Sequence, residues 1–374
     1  MHIICEKEKL INGLDTVMKA VASRTTMPIL ECVLITADNN GLKFLCNNLE
    51  MGIESFGIEA NIIKPGKIAI NAKKVFEIAK KLPDGDVEIS YLDSFMTIKS
   101  GRSKFKIICM DSETFPELPD VEKSEIYKIP SDILKNMIKE TIFSISLDES
   151  KPVLMGELLE IKENKLNVVA LDGFRISSRS EEMPENCIDA SIIVPGKTLM
   201  DLSRILVNSD SEDVLFYMTE KHAMFELSEC KIVTRLIGGS YINYENIFTE
   251  DYKTMVKINR QEFLECIERA SLIFDNEKKR NPVKLEIKED KIIVTSNTND
   301  DQSYEELQVS VDGESLNIAF NPKYLIDVLK AISSDTVVAY FTTAINPCII
   351  KPFNVEKNEI EINARYLILP LKLR

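Results

Sequence analysis

The stretch NAKKVFEIAKKL, Asn71 to Leu82, recurs as PGKTLMDLSRIL from Pro195 to Leu206 and as NPKYLIDVLKAI from Asn321 to Ile332, with starts 124 and 126 residues apart in a chain of 374. In each copy the third residue is basic (Lys73, Lys197, Lys323), the seventh acidic (Glu77, Asp201, Asp327) and the tenth basic (Lys80, Arg204, Lys330). Residues three and four apart share a helix face, so these positions form one charged stripe. The fifth, sixth, eighth and twelfth positions are apolar in every copy, which predicts a helix buried opposite that stripe. Three equivalent helices imply three equivalent domains.

The repetition extends outward from these helices. Each third opens with a second amphipathic segment, Glu6 to Arg24, Pro130 to Ser146 and Asn259 to Asp275, with apolar residues at three- and four-residue spacing. Each passes through a proline (Pro28, Pro152, Pro282) into alternating, strand-like sequence such as LECVLITADNNGLKFLC, LLEIKENKLNVVALD and VKLEIKEDKIIVTS. Asn39-Asn40-Gly41, Glu163-Asn164 and Glu289-Asp290 mark hairpin turns. Paired strands follow the repeated helix as well, from Asp86, Asp213 and Thr336. The expected fold class is α+β, with three similar domains of two helices packed on antiparallel sheets. Boundaries in the proline- and acid-rich stretch Phe115 to Glu125, and near Asn246 to Tyr252, give domains of 1–122, 123–248 and 249–374. The period far exceeds that of a solenoid. Whole domains with sheet edges would instead join edge to edge, and a second subunit can close such an arrangement into a ring.

The net charge of −14 argues against a nucleic-acid partner, since phosphate binders usually present a basic footprint. Its distribution says otherwise. The six helical segments together carry +4, leaving −18 for the remaining chain. Stripes gathered on one surface would make a weakly positive lining that attracts phosphates without reading bases. The N-terminus, MHIICEKEKL, lacks the apolar run of a signal peptide and no later segment is long enough to span a bilayer, so a cytoplasmic protein is expected. Eight single cysteines without a CxxC pair read as reduced core residues.

Catalytic chemistry finds no footing. Only His2 and His222 exist, and no HExxH, GxSxG or glycine-rich dinucleotide fingerprint is present. Gly196-Lys197-Thr198 ends like a phosphate-binding loop, but Ser191 stands where its first glycine belongs and the other copies carry Ala72 and Pro322 at the Gly196 position. It reads as a helix start. Asp172-Gly173-Phe174-Arg175 is an Asp-Gly turn between strand-like segments, structural or functional with equal ease. No metal and no cofactor are expected.

Eight ordered motifs now resemble the bacterial sliding clamp family, the beta subunit of DNA polymerase III. They are RTTMPIL from Arg24, LEM from Leu49, SGRSKF from Ser100, FPELP from Phe115, ALDGFRIS from Ala170, the IIVPGK run ending at Lys197, FNPKYLIDVL from Phe320 and the terminal LILPLKLR. The resemblance implies a head-to-tail dimeric ring, helices around duplex DNA and sheets outside. The implied task is non-catalytic: tethering the replicative polymerase and other DNA enzymes to confer processivity. It carries DNA contacts onto Arg24, Lys73 and the loop at Lys151, and the charged stripe adds Lys80, Lys197 and Arg204. Lys73 and Lys151 replace arginines common in the family, which keeps charge and loses bidentate geometry. Pro152-Val153 replaces a pair of tyrosines found in some members.

The resemblance also implies a pocket for short linear peptides of polymerases and the clamp loader. It maps onto Leu154, Leu171, Gly173, Phe174, Arg175, Ile176, Ile242, Asn246, Ile247, Asn321, Tyr324, Ile345, Leu367, Leu369, Pro370, Leu371 and Lys372. Arg175 and Lys372 would rim an apolar floor. Ile242 stands where a proline is usual and Asn246 replaces a basic residue. For the dimer seam the resemblance points to Phe105 and Ile107 meeting Leu272 and Ile273 of the other subunit. Charge complements this, because NDDQSYEE from Asn299 is acidic while Lys73, Lys74, Arg102 and Lys104 make the opposite end basic. Two rivals belong to other classes: a three-domain peptide-binding scaffold that never surrounds DNA, and a hydrolase using His222.

Overall fold

The computed structural model describes residues 1–123, 125–183, 187–206, 212–248, 251–274 and 281–372. The expected helix end at Asp275, and the ends of the third domain at 249 and 374, lie outside them. Among the described residues six α-helices are interspersed with short strands: α1 (Lys7–Met18), α2 (Ala72–Lys81), α3 (Ser131–Thr141), α4 (Gly196–Ile205), α5 (Arg260–Ser271) and α6 (Pro322–Ala331). The repeated stretch is helical in all three thirds. Val75, Leu199 and Leu325 at its fifth position are buried, as are Leu82, Leu206 and Ile332 at its twelfth, while the third and tenth positions face solvent. Asparagine caps two of these helices, Asn71 accepting from the Lys74 amide at 3.0 Å and Asn321 from that of Lys323 at 3.1 Å. Gly196 starts α4 because a side chain there would press on Ile145 and on the Met155 carbonyl.

The order in each third differs from expectation at its start. A strand precedes each opening helix: His2–Glu6, Tyr127–Pro130 and Thr254–Asn259. The opening helices are also shorter, and the second passes into a 3-10 turn at Ile142–Ser144. The expected hairpin turns hold, with Glu163 and Asn164 both at positive φ and Gly41 at +109°.

Among the described residues every strand pairing is antiparallel, and the strands form four sheets. A five-stranded sheet runs Asn61–Lys64, His2–Glu6, Asp86–Leu92, Phe95–Ser100, Ser103–Ile108. An eight-stranded sheet runs Tyr127–Pro130, Asp213–Met218, His222–Glu226, Cys230–Arg235, Met51–Ile58, Gly41–Asn47, Cys32–Asp38, Gly66–Asn71. The largest runs Ala190–Pro195, Gly156–Lys162, Lys165–Leu171, Arg175–Glu182, Ala364–Ile368, Cys348–Asn354, Thr336–Phe341, Thr254–Asn259, Ser310–Gly313, with Glu359–Ile360 at its side. A four-stranded sheet of Gln302–Gln308, Lys291–Asn297, Val283–Ile287 and Leu316–Phe320 completes the set.

These sheets run through the sequence thirds. Strands of the first and second thirds join where Cys230–Arg235 pairs with Met51–Ile58, and strands of the second and third where Arg175–Glu182 pairs with Ala364–Ile368. The chain accordingly divides into two compact units, Met1–Asp132 with Asp201–Leu236, and Ile133–Met200 with Ile237–Arg374. A backbone ladder closes each seam.

Candidate functional site

The second unit's seam is entered through the loop Asp172–Arg175. Asp172 Oδ1 accepts from the amides of Phe174 at 2.8 Å and Arg175 at 3.1 Å, and Gly173 takes φ +93°, which suits a residue without a side chain. This tight turn pushes Phe174 outward, 56% exposed, where its ring stacks on Tyr324 of α6.

Arg175 does not rim the site as expected. It is 5% exposed and its donors are taken: Nε by Asp172 at 3.1 Å, Nη1 by Asp327 at 2.7 Å and Nη2 by the Phe143 carbonyl. Its guanidinium also lies 4.6 Å from the centre of the Tyr324 ring. A buried arginine with no carboxylate would be too costly, so Arg175 is a post under the loop, tying the strand Arg175–Glu182 to α6. Lys372 is exposed, as the expected rim position requires.

Behind the loop, Leu154, Leu171, Ile176 and Leu367 belong to one apolar cluster with Ile247 against it. Leu369 donates its amide to the Phe174 carbonyl and Leu371 to that of Ala319, both at 2.8 Å, so the tail Leu369–Leu371 runs between loop and sheet. Ile242, Ile345 and Leu369 are exposed, as is Asn246, while Asn321, Tyr324, Pro370 and Leu371 are half-buried. The result is a wet rim over a dry floor. Sequence reasoning missed Phe143, Asp172 and Tyr244 as supports. Tyr244 is buried in the cluster and donates to Glu160 at 2.9 Å, and burial first, then that carboxylate, pushes its phenol up. An Asp-Gly turn signals Asp172; nothing local signals a partner 152 residues away.

All six proposed DNA cations are exposed. Lys80 and Arg204 share a groove of about 990 Å³ in the first unit, lined also by Lys9, Lys19, Phe56 and Phe76. Lys80 lies over the Phe76 ring at 3.9 Å, and Arg204 pairs with Asp201 at 3.1 Å. The intervening acids do not act alike. Glu77 faces solvent, Asp201 is buried beside Arg204, and Asp327 is spent on Arg175.

At the proposed dimer seam, Leu272 is 81% exposed, Ile273 is half-buried, and Phe105 and Lys74 are exposed. Ile107 corrects the expectation. It is 7% exposed, opposite Met96 on the packed face of its sheet, and has little left to offer a partner. Glu305 and Glu306 are likewise engaged already, by Arg269 and Lys291 at 2.7 Å each. The Lys291 ammonium and then the Tyr304 hydroxyl hold the Glu306 carboxyl below the usual range. His222 lies within the strand His222–Glu226, and no cluster of three potential metal ligands occurs among the described residues. No described helix is long and apolar enough to cross a membrane.

Comparison with known proteins covers the whole chain. Models of the DNA polymerase III beta subunit match its N-terminal domain at residues 1–119, its central domain at 128–243 and its C-terminal domain at 245–372. The beta sliding clamp of Bacillus subtilis is 34% identical over 369 residues, 95% of this chain and 97% of its own. The crystal structure of a B. subtilis DNA polymerase sliding clamp, 32% identical and fully covering both chains, superposes with TM-score 0.94. A Pseudomonas aeruginosa sliding clamp solved bound to griselimycin is 26% identical, with TM-score 0.92 and full coverage of both chains.

Proposed function

The chain belongs to the DNA polymerase III beta-subunit family, the bacterial sliding clamps, and from that premise we propose how its own residues carry out the task. It is a processivity clamp, not a catalyst. Two copies join head to tail, encircle duplex DNA without regard to sequence, and tether the polymerase and clamp loader by short peptides in the cytoplasm. We keep the domain limits at 1–122, 123–248 and 249–374.

The observation that carries the DNA reading is the recurrence of an exposed lysine at the same helical position, Lys73, Lys197 and Lys323, on a chain of net charge −14. Arg24, Lys80, Lys151 and Arg204 add to it. Such a lining attracts phosphates and leaves no base contact to stop sliding. The peptide reading rests on the seam of the second unit, where Phe174 and Tyr324 flank a dry floor of Leu171, Ile176 and Leu367. An aliphatic side chain fits such a floor and Lys372 answers an acidic end.

Loading by a clamp loader onto nicked circular DNA, followed by gel filtration at moderate salt, tests the ring. Retention on circles and loss once they are linearised is the expected result. Equal retention on both forms would favour a scaffold that binds ionically from outside.

A further inference from the structure

The first unit holds a seam of the same design. Thr234 opposes Met51 and Val233 opposes Gly52 there, as Ile368 opposes Arg175 and Leu367 opposes Ile176 in the second unit. The entering loops match too. Asn48 Oδ1 accepts from the amides of Glu50 at 3.0 Å and Met51 at 2.8 Å, repeating the two bonds of Asp172. The residue between has positive φ in both, +73° at Leu49 and +93° at Gly173. Leucine is disfavoured in that region, so the loop keeps its shape against its own sequence, with a large apolar side chain exposed at its tip as Phe174 is.

One position breaks the likeness. Gly52 stands where the second seam has Ile176, and Leu118 of the linker has settled into the space. A Cβ at Gly52 would overlap Leu118 Cδ2. Leu118 packs against two apolar clusters at once, one containing Leu30, Leu45 and Phe115, the other Val121, Tyr217 and Val233. In the second unit a single continuous cluster spans the corresponding strands. Buried Asn47 steadies the linker through a 3.4 Å bond from Nδ2 to the Pro116 carbonyl.

We propose that this first seam is a second docking site for extended peptides bearing an aliphatic side chain, closed in the resting chain by its own Leu118. The proposal rests on reading the second seam as the peptide pocket. Leu118 is only half-buried, and its contact with Gly52 is made by the end of a flexible side chain, so it can leave without moving the strand. Being covalently attached, it outcompetes a free peptide of equal intrinsic affinity. Met51 replaces Arg175, so the ionic post is missing and the site is closed by the apolar contacts of Leu118 together with the Asn47–Pro116 bond.

The test counts peptides per protomer. A synthetic hexapeptide with two leucines is titrated calorimetrically into the full chain, Leu118→Ala and Gly52→Ile, with the Met51 methyl resonance followed in parallel. Gly52→Ile restores the Ile176 side chain and expels Leu118 by a second route, which keeps the count available should Leu118→Ala unfold. One peptide on the parent chain and two on either variant, with the Met51 methyl shifting only in the variants, is expected. One peptide on a folded variant with an unmoved Met51 methyl overturns the closed-site proposal. No peptide on the parent chain would instead overturn the reading of the second seam, a separate failure.

Discussion

Arg175 shows how a residue can shape a candidate site while its own donors are spent inside the fold. Its guanidinium meets Asp172, Asp327 and the Phe143 carbonyl, so removing it strands two carboxylates at a buried joint. Arg175→Ala should cost about 3–5 kcal/mol of stability, the usual penalty for breaking a buried ion pair. Phe174→Ala, at an exposed ring, should leave the melting temperature unchanged and weaken peptide binding at least roughly tenfold, as loss of an aromatic anchor does. Thermal unfolding alongside fluorescence anisotropy separates the two; a Phe174→Ala protein binding at parental strength would remove that ring from the pocket. Glu157 offers a second residue-scale test. It is fully buried in the strand Gly156–Lys162, and burial pushes its carboxyl from 4.5 up to about 8. The Thr141 hydroxyl offsets little of this, since it already donates to the Met137 carbonyl at 2.7 Å. Below pH 4.5 folded and unfolded chains both hold the proton and Glu157 contributes nothing. As pH rises from 4.5 to 8 only the unfolded chain releases it, so stability falls across that window and the loss is complete above it. Glu157→Gln should flatten this part of the profile and raise the melting temperature at pH 8. Parallel pH profiles for the two proteins would show Glu157 to be paired in solution.

Among the elements, α2, α4 and α6 show both what the sequence reveals and where it stops. Their existence, buried positions and exposed lysines follow from spacing alone, because helical period decides which side chains share a face. The fate of the seventh residue does not. Glu77, Asp201 and Asp327 look alike in sequence, yet only Glu77 stays in solvent, since the other two meet arginines placed by the fold. A reading in which all three soften a DNA-facing field is therefore left with Glu77 as its only solvent-facing acid. Arg204 is held by Asp201 and Lys80 rests on Phe76, whereas Lys73 has no ion pair with any described residue. Each cation that truly meets a phosphate adds about 0.9 to the slope of log affinity against log salt. Lys73→Ala should lower the slope by about one unit and Arg204→Ala by less, in line with that value. Binding of a short duplex across a salt series measures both. An unchanged slope for Lys73→Ala would place that lysine away from DNA.

At the scale of the molecule, the sheets explain more than the thirds do. Repeats mark domains by sequence, but ladders cross the repeats and end in edge strands paired on one side only, among them Ser103–Ile108 and Gln302–Gln308. Their continuity was illegible beforehand, because pairing partners such as Val233 and Gly52 lie far apart along the chain. Unpaired edges are liabilities that proteins cover or charge. Here the first carries Lys104 and Lys106, and the second carries Glu305 and Glu306, already balanced by Arg269 and Lys291. Complementary charge at the second edge is thus weaker than composition implies, and Asp300 and Asp301 are left to supply it. In the proposed dimer, apolar contact would then carry more of the seam. Phe105 and Leu272 are exposed in the single chain, whereas Ile107 is buried within it. The double variant Phe105→Ala, Leu272→Ala should therefore sediment as a monomer at micromolar concentration while melting at the parental temperature. Ile107→Ala should do the reverse: it opens a cavity costing about 2–5 kcal/mol and leaves association largely intact. Sedimentation velocity paired with thermal unfolding distinguishes these outcomes. A dimer that survives loss of both Phe105 and Leu272 would mean that edge-to-edge backbone pairing, rather than side-chain contact, holds the two copies together.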